Sequence, residues 1–116
     1  MIPLHFLLAL ITVESGGRDN AIGDQGMAYG CLQIWEVVVK DVNRVYGTRY
    51  THADCLRRAP SLDICRLYLA HYASPQRLGR TPTFEDLVRI WNGGPKGHRL
   101  RCTDAYWAKV KPLVQR

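Results

Sequence analysis

The chain has 116 residues, of which 47% are hydrophobic and 22% charged, and carries a formal net charge of +6. That length suits one domain over residues 1–116 and is too short for two ordinary ones, and the composition excludes a disordered chain. The positive charge implies attraction to a polyanion without choosing among nucleic acid, an anionic membrane surface and a bacterial cell wall.

In chain order, Pro3 sits near the first position of a helix, with Leu4, Leu7, Leu8 and Ile11 as its buried stripe and Gly16-Gly17 as its stop. The segment from Met1 to Val13 could pass for a signal peptide, but it lacks a basic n-region and a clean cleavage site. It is also too short to span a bilayer, so a core helix is expected. Residues 16–30 are polar and glycine-rich, which suits turns or a small hairpin.

A second helix is expected from about Trp35 to Tyr46, ended by Gly47, with Val37, Val38, Asp41, Val42 and Val45 forming an imperfect apolar face. The β-branched run Val37-Val38-Val39 also suits a strand. Pro60-Ser61 precedes Leu62, Cys65, Leu69 and Tyr72, the stripe of a third helix reaching about Ala73. Thr83 and Asp86 form a capping-box pair at the start of a fourth, with Leu87, Val88 and Ile90 following, and Asn92-Gly93-Gly94-Pro95 stops it. A last helix begins near Thr103 and carries Tyr106, Trp107 and Val110, with Pro112 expected to bend or shorten it.

Cys31, Cys55, Cys65 and Cys102 include no CxxC pair and no neighbouring CxxH, so a metal site is not expected. Two disulfides in any of three pairings are possible, Cys55 with Cys65 and Cys31 with Cys102 being preferred, and free buried thiols are the alternative. The basic residues thicken toward the C-terminus at Lys96, Arg99, Arg101, Lys109, Lys111 and Arg116 without one continuous tract, which fits a solvated surface as well as a docking face. No helix-turn-helix with a basic recognition helix and no RNA-binding sheet signature is present, so nucleic acid is not the expected partner.

Glu14 follows Leu10 by four positions and Ile11 by three, which places a carboxyl group on the inward stripe of an apolar helix at its last turn. Burial and the negative end of the helix both disfavour its charged form. A carboxyl group that is still protonated near neutral pH can hand a proton to the departing oxygen of a glycosidic bond.

Glu14-Ser15-Gly16-Gly17, followed by Gly26 and Tyr29-Gly30-Cys31-Leu32-Gln33-Ile34, resembles the signature of lysozyme-superfamily enzymes, above all the soluble lytic transglycosylase domain. Cys31-Leu32 replaces that family's usual Leu-Met, and the loop is about one residue longer. Ile90-Trp91-Asn92-Gly93-Gly94-Pro95 resembles its A-Y-N-x-G-P segment and also the H-N-G-G-P of invertebrate-type lysozymes. Thr103 to Val110 is similar to the T-x-x-Y-V-x-K-V that closes the transglycosylase domain.

The resemblance implies a mainly α, small lysozyme-like domain, with a central helix bundle and a glycine-rich loop or small hairpin beside a cleft. It implies cleavage of the bond between N-acetylmuramic acid and N-acetylglucosamine in peptidoglycan, with no cofactor, by a monomer that does not insert stably into membranes. Glu14 would be the acid/base. Ser15 and Gln33 would be cleft residues, Gln33 binding the N-acetylated sugar at the start of the second helix. Asn92 would contact glycan near the scissile bond, and Tyr106 would lean its hydroxyl toward Glu14. Tyr29 and Trp91 are expected to line the cleft, and Trp35 and Trp107 to be core.

The second carboxylate is open. Asp24 is the first candidate and Asp19 its rival for a hydrolytic lysozyme. The transglycosylase scheme needs neither, because the substrate's acetamido group stabilises the intermediate and its 6-hydroxyl attacks to give a 1,6-anhydro product. Motif order favours the single-glutamate scheme. The setting is expected to be the bacterial cell wall, reached by a phage-encoded protein or by a fragment whose export signal has been removed.

Overall fold

Helix α1 (Leu4–Ser15) is apolar around most of its circumference, and the fold is arranged about it. In the computed structural model, which describes residues 2–115, its Phe6, Leu7, Leu10 and Ile11 are fully buried. Met1 and the basic Arg116 lie outside the described residues. The stripe expected from the sequence is rotated: Leu7 and Ile11 face inward, but Leu4 and Leu8 are exposed, and Phe6, Ala9 and Leu10 take their places. A helix with apolar residues at nearly every position does not announce which third of its surface stays wet. Phe6 stacks on Phe84, with ring centroids 5.2 Å apart. Gly16, at φ +66°, ends the helix by donating its N–H to the Thr12 carbonyl.

The glycine-rich stretch forms the expected small hairpin of two-residue strands, β1 (Ile22–Gly23) and β2 (Ala28–Tyr29), which β3 (Ile34–Trp35) beyond it extends to a three-stranded antiparallel sheet in the order β1-β2-β3. Ile22 pairs with Tyr29, and Tyr29 with Ile34. Helix α2 (Glu36–Tyr46) leaves β3 directly. Trp35 is therefore its N-cap in extended conformation and not a helical residue. The buried positions of α2 are Val39 and Val42, while Val37, expected on the apolar face, is 68% exposed.

Helix α3 (Arg58–Tyr72) begins two residues before Pro60, which lies within its first turn, where a missing N–H costs nothing. A short helix α4 (Pro75–Leu78) follows, capped by the Ser74 hydroxyl. Helix α5 (Phe84–Gly93) opens on the expected capping box. The Thr83 hydroxyl accepts from the Asp86 N–H, and the Asp86 carboxylate accepts from the Thr83 N–H. Arg80 also donates to that carboxylate, which holds Asp86 down to about 2. Helix α6 (Asp104–Val114) continues past Pro112 for two residues, so the proline removes one hydrogen bond near the end without terminating the helix.

Helix α6 packs on α1 and α5, and α3 packs on α2 and α5. Buried residues from the helices and from the chain around Cys31–Ile34 join in one apolar cluster. All four cysteines are thiols. Neither preferred disulfide forms: Cys55 and Cys65 are both buried but unbonded, and Cys31 is in the core while Cys102 is at the surface. Burial pushes the Cys55 thiol up to about 12. Among the described residues, no helix is long and apolar enough to cross a membrane, and no cluster of His, Cys, Asp or Glu is placed to hold a metal ion.

Candidate active site

A groove of about 700 Å³ runs between the sheet and the start of α2 on one side and the end of α5 on the other. Glu14, in the last turn of α1, contributes to its lining. Asp24, Gln33, Ile34 and Trp35 line it from the sheet side, Val37, Lys40, Asp41 and Arg44 from α2, and Trp91, Asn92, Gly94 and Pro95 from the end of α5.

Glu14 is half-buried, and its carboxyl oxygen Oε2 accepts a 2.8 Å hydrogen bond from the Tyr106 hydroxyl of α6. Burial pushes its pKa from 4.5 up to about 7. The Tyr106 hydrogen bond opposes this, the negative charge of Asp24 adds to it, and Trp91 opposes it weakly. Glu14 therefore carries its proton through much of the neutral range. The hydroxyl donates to the charged form, so Tyr106→Phe is expected to raise the pKa further. A carboxyl-carbon NMR titration would show it, and an unchanged midpoint would remove Tyr106 from the site's electrostatics.

Asp24 begins an exposed turn in which Asp24 (φ +49°), Gln25 (φ +59°) and Gly26 (φ +90°) are successively left-handed. Its Oδ2 accepts from the Trp35 indole nitrogen at 3.1 Å. Asp19 does not line the groove and is held by Arg58 at 2.7 Å. Of the two candidate partners for Glu14, the structure brings only Asp24 into the groove.

Gln33 lines the groove but precedes α2 by three residues, at φ +51°, and does not start the helix. Its side-chain nitrogen donates to the carbonyls of Gly30 (3.0 Å) and Ala21 (3.3 Å), so both amide hydrogens are committed to holding the sheet. Ser15, expected in the cleft, is 6% exposed, and its hydroxyl donates to the Ile11 carbonyl at 3.2 Å. It closes the helix end and does not face the groove. Tyr29 is likewise outside the groove lining, stacked flat on the His52 ring with centroids 3.7 Å apart.

Trp91 and Asn92 do line the groove, and Trp91 meets Tyr68 edge-on. Trp107 packs against the core, as expected. Trp35 does not: it is 40% exposed and faces the groove. The α2 residues Lys40, Asp41 and Arg44 were also missed, although a polar row at helical spacing beside the motif region was the available signal.

No family model matches the chain. Lysozyme 1 of Crassostrea virginica is 31% identical over 113 residues, which is 96% of this chain and 59% of that protein. The chain thus spans about three-fifths of the length of this curated relative. Among solved structures, the crystal structure of Tapes japonica lysozyme superposes with a TM-score of 0.77 at 22% identity, covering 94% of this chain and 88% of that one. The fold is that of a lysozyme. A second solved structure, Aeromonas hydrophila PliI in complex with Meretrix lusoria lysozyme, matches with a TM-score of 0.77 at 24% identity, over 96% of this chain and 89% of that one. Within this lysozyme fold the helices are the bulk of the domain, and the small sheet forms one wall of the groove. The curated relative and both solved structures carry the lysozyme name.

Proposed function

We propose that the chain hydrolyses the β-1,4 bond between N-acetylmuramic acid and N-acetylglucosamine in peptidoglycan, with Glu14 as general acid and Asp24 as the second carboxylate. The observation that carries this is a half-buried Glu14, hydrogen-bonded to the Tyr106 hydroxyl and with its pKa pushed up to about 7 by burial, sharing one groove with the carboxylate of Asp24. Glu14 gives its proton to the oxygen of the leaving sugar as the bond to the anomeric carbon breaks. Asp24 stabilises the positive charge that develops on the ring and takes the anomeric carbon as an ester. Glu14, now ionised, accepts a proton from water, whose oxygen attacks that carbon and releases Asp24. One water is consumed, and Glu14 ends protonated.

Trp91 and Trp35 supply aromatic faces for sugar rings, and Asn92 an exposed amide for hydroxyl and acetamido groups. The net charge of +6 favours accumulation on an anionic cell wall, the proposed site of action. The lysozyme name of the relative and of the solved structures supports hydrolysis over the transglycosylation that motif order favoured. Digestion of peptidoglycan followed by mass analysis of the muropeptides tests the choice. Reducing ends are the expected product, and anhydro ends, lighter by one water, would replace hydrolysis with the single-glutamate scheme.

A further inference from the structure

We infer that Trp35 is a positioning residue for the reaction: its indole N–H fixes the carboxylate of Asp24 in the groove opposite Glu14. This rests on Asp24 being the second carboxylate, and it concerns how that group is held.

Asp24 is poorly placed to hold itself. It lies in an exposed turn with three consecutive left-handed residues, of which only Gly26 adopts that conformation without cost. Among the described residues, the only hydrogen bond to its carboxylate is the 3.1 Å bond from Trp35 Nε1. A carboxylate free to rotate spends much of its time away from the reacting carbon, and one donor from a fixed ring removes that freedom.

Trp35 itself is fixed from both sides. Its backbone pairs with Ala28 in the sheet, and it is the N-cap from which α2 departs. Within β3, Ile34 is anchored at 1% exposure while the Trp35 ring, 40% exposed, opens onto the groove. The Ile34 carbonyl is in turn held by the His52 ring nitrogen at 2.7 Å, itself under the Tyr29 ring. Tyr29 and His52, outside the groove, thus brace the strand that carries the donor.

A ring that merely stacks on sugar and a ring that donates to Asp24 differ in what their loss does. Trp35→Phe keeps an aromatic face and removes the N–H. Replacing Trp35 by benzothienylalanine, in which sulfur stands for the N–H, keeps the shape as well and guards against a misfolded phenylalanine variant. On solubilised peptidoglycan strands, kcat is expected to fall about 10-fold or more in both, with KM held within about twofold. A raised KM with unchanged kcat, or no change in either, would overturn the proposal by leaving Trp35 a stacking platform or a bystander. Asp24→Asn in the same assay separates the two levels. If it is inactive while the Trp35 variants keep kcat, only the positioning role falls. If it is as active as the parent, Asp24 is not the second carboxylate, and both fall together.

Discussion

Glu14→Gln is expected to reduce peptidoglycan cleavage by about 10²- to 10⁴-fold, because the amide is nearly isosteric but has no acidic proton to give. It should also make the protein more stable above neutral pH. The folded-state pKa of Glu14, about 7, lies above its ordinary 4.5. The associated stabilisation is fully present below pH 4.5 and is lost as pH rises through 7, amounting to about 2–3 kcal/mol for a half-buried group. The glutamine variant never ionises, so it should melt at nearly the parent temperature at pH 4 and several degrees higher at pH 8. Thermal melts at the two values check this. Equal melting at pH 8 would mean that Glu14 titrates like a free side chain, and the proposed acid would lose its basis. A group that destabilises the fold where it is poised to react is the usual mark of a site tuned for chemistry.

Gly30→Ala is expected to be the most damaging single-methyl change in the sheet region. Gly30 has φ +84°, and a Cβ placed there would stand 1.7 Å from the Cys55 carbonyl oxygen and 2.8 Å from its carbon. Neither atom can swing aside, since both are backbone, and that oxygen also accepts from the buried Ser61 hydroxyl at 2.8 Å. The Gly30 carbonyl accepts from both the backbone and the side chain of Gln33. The displacement would therefore spread along β3 to Trp35 and Asp24. A loss of at least about 3 kcal/mol, from left-handed strain and overpacking together, should appear in denaturant midpoints, with activity falling alongside. Gly16→Ala is the control: φ is +66° but nothing lies within 4 Å of the added carbon, so about 1–2 kcal/mol is expected. Similar losses in the two variants would show that backbone conformation, not the Cys55 contact, fixes Gly30.

What could be read beforehand was whatever local chemistry decides. The Thr83–Asp86 box, the glycine stops after α1 and α2, and the carboxyl group at the apolar end of α1 each depend on residues within one or two turns. Two-residue strands have no periodicity to detect. The sequence pattern therefore points Trp35 to a helix start and to the core, whereas its pairing with Ala28 leaves the ring 40% exposed. Gln33 does line the groove, as its motif implies, but its left-handed backbone, its amide bonds to Ala21 and Gly30 and its place before α2 depend on the whole sheet. Ser15 shows the same limit: proximity to Glu14 in sequence did not decide which way its hydroxyl points. The disulfide preference failed because spacing tells neither whether a cysteine is on the surface, as Cys102 is, nor whether two interior cysteines such as Cys55 and Cys65 are bonded to each other.

The thiols of Cys31, Cys55 and Cys65 sit among the apolar side chains as small hydrophobes. The fold is held by non-covalent contacts, with no disulfide to break. A reductant should leave its melting point where it was, and the chain should mature as readily in a reducing cytosol as in an oxidising compartment.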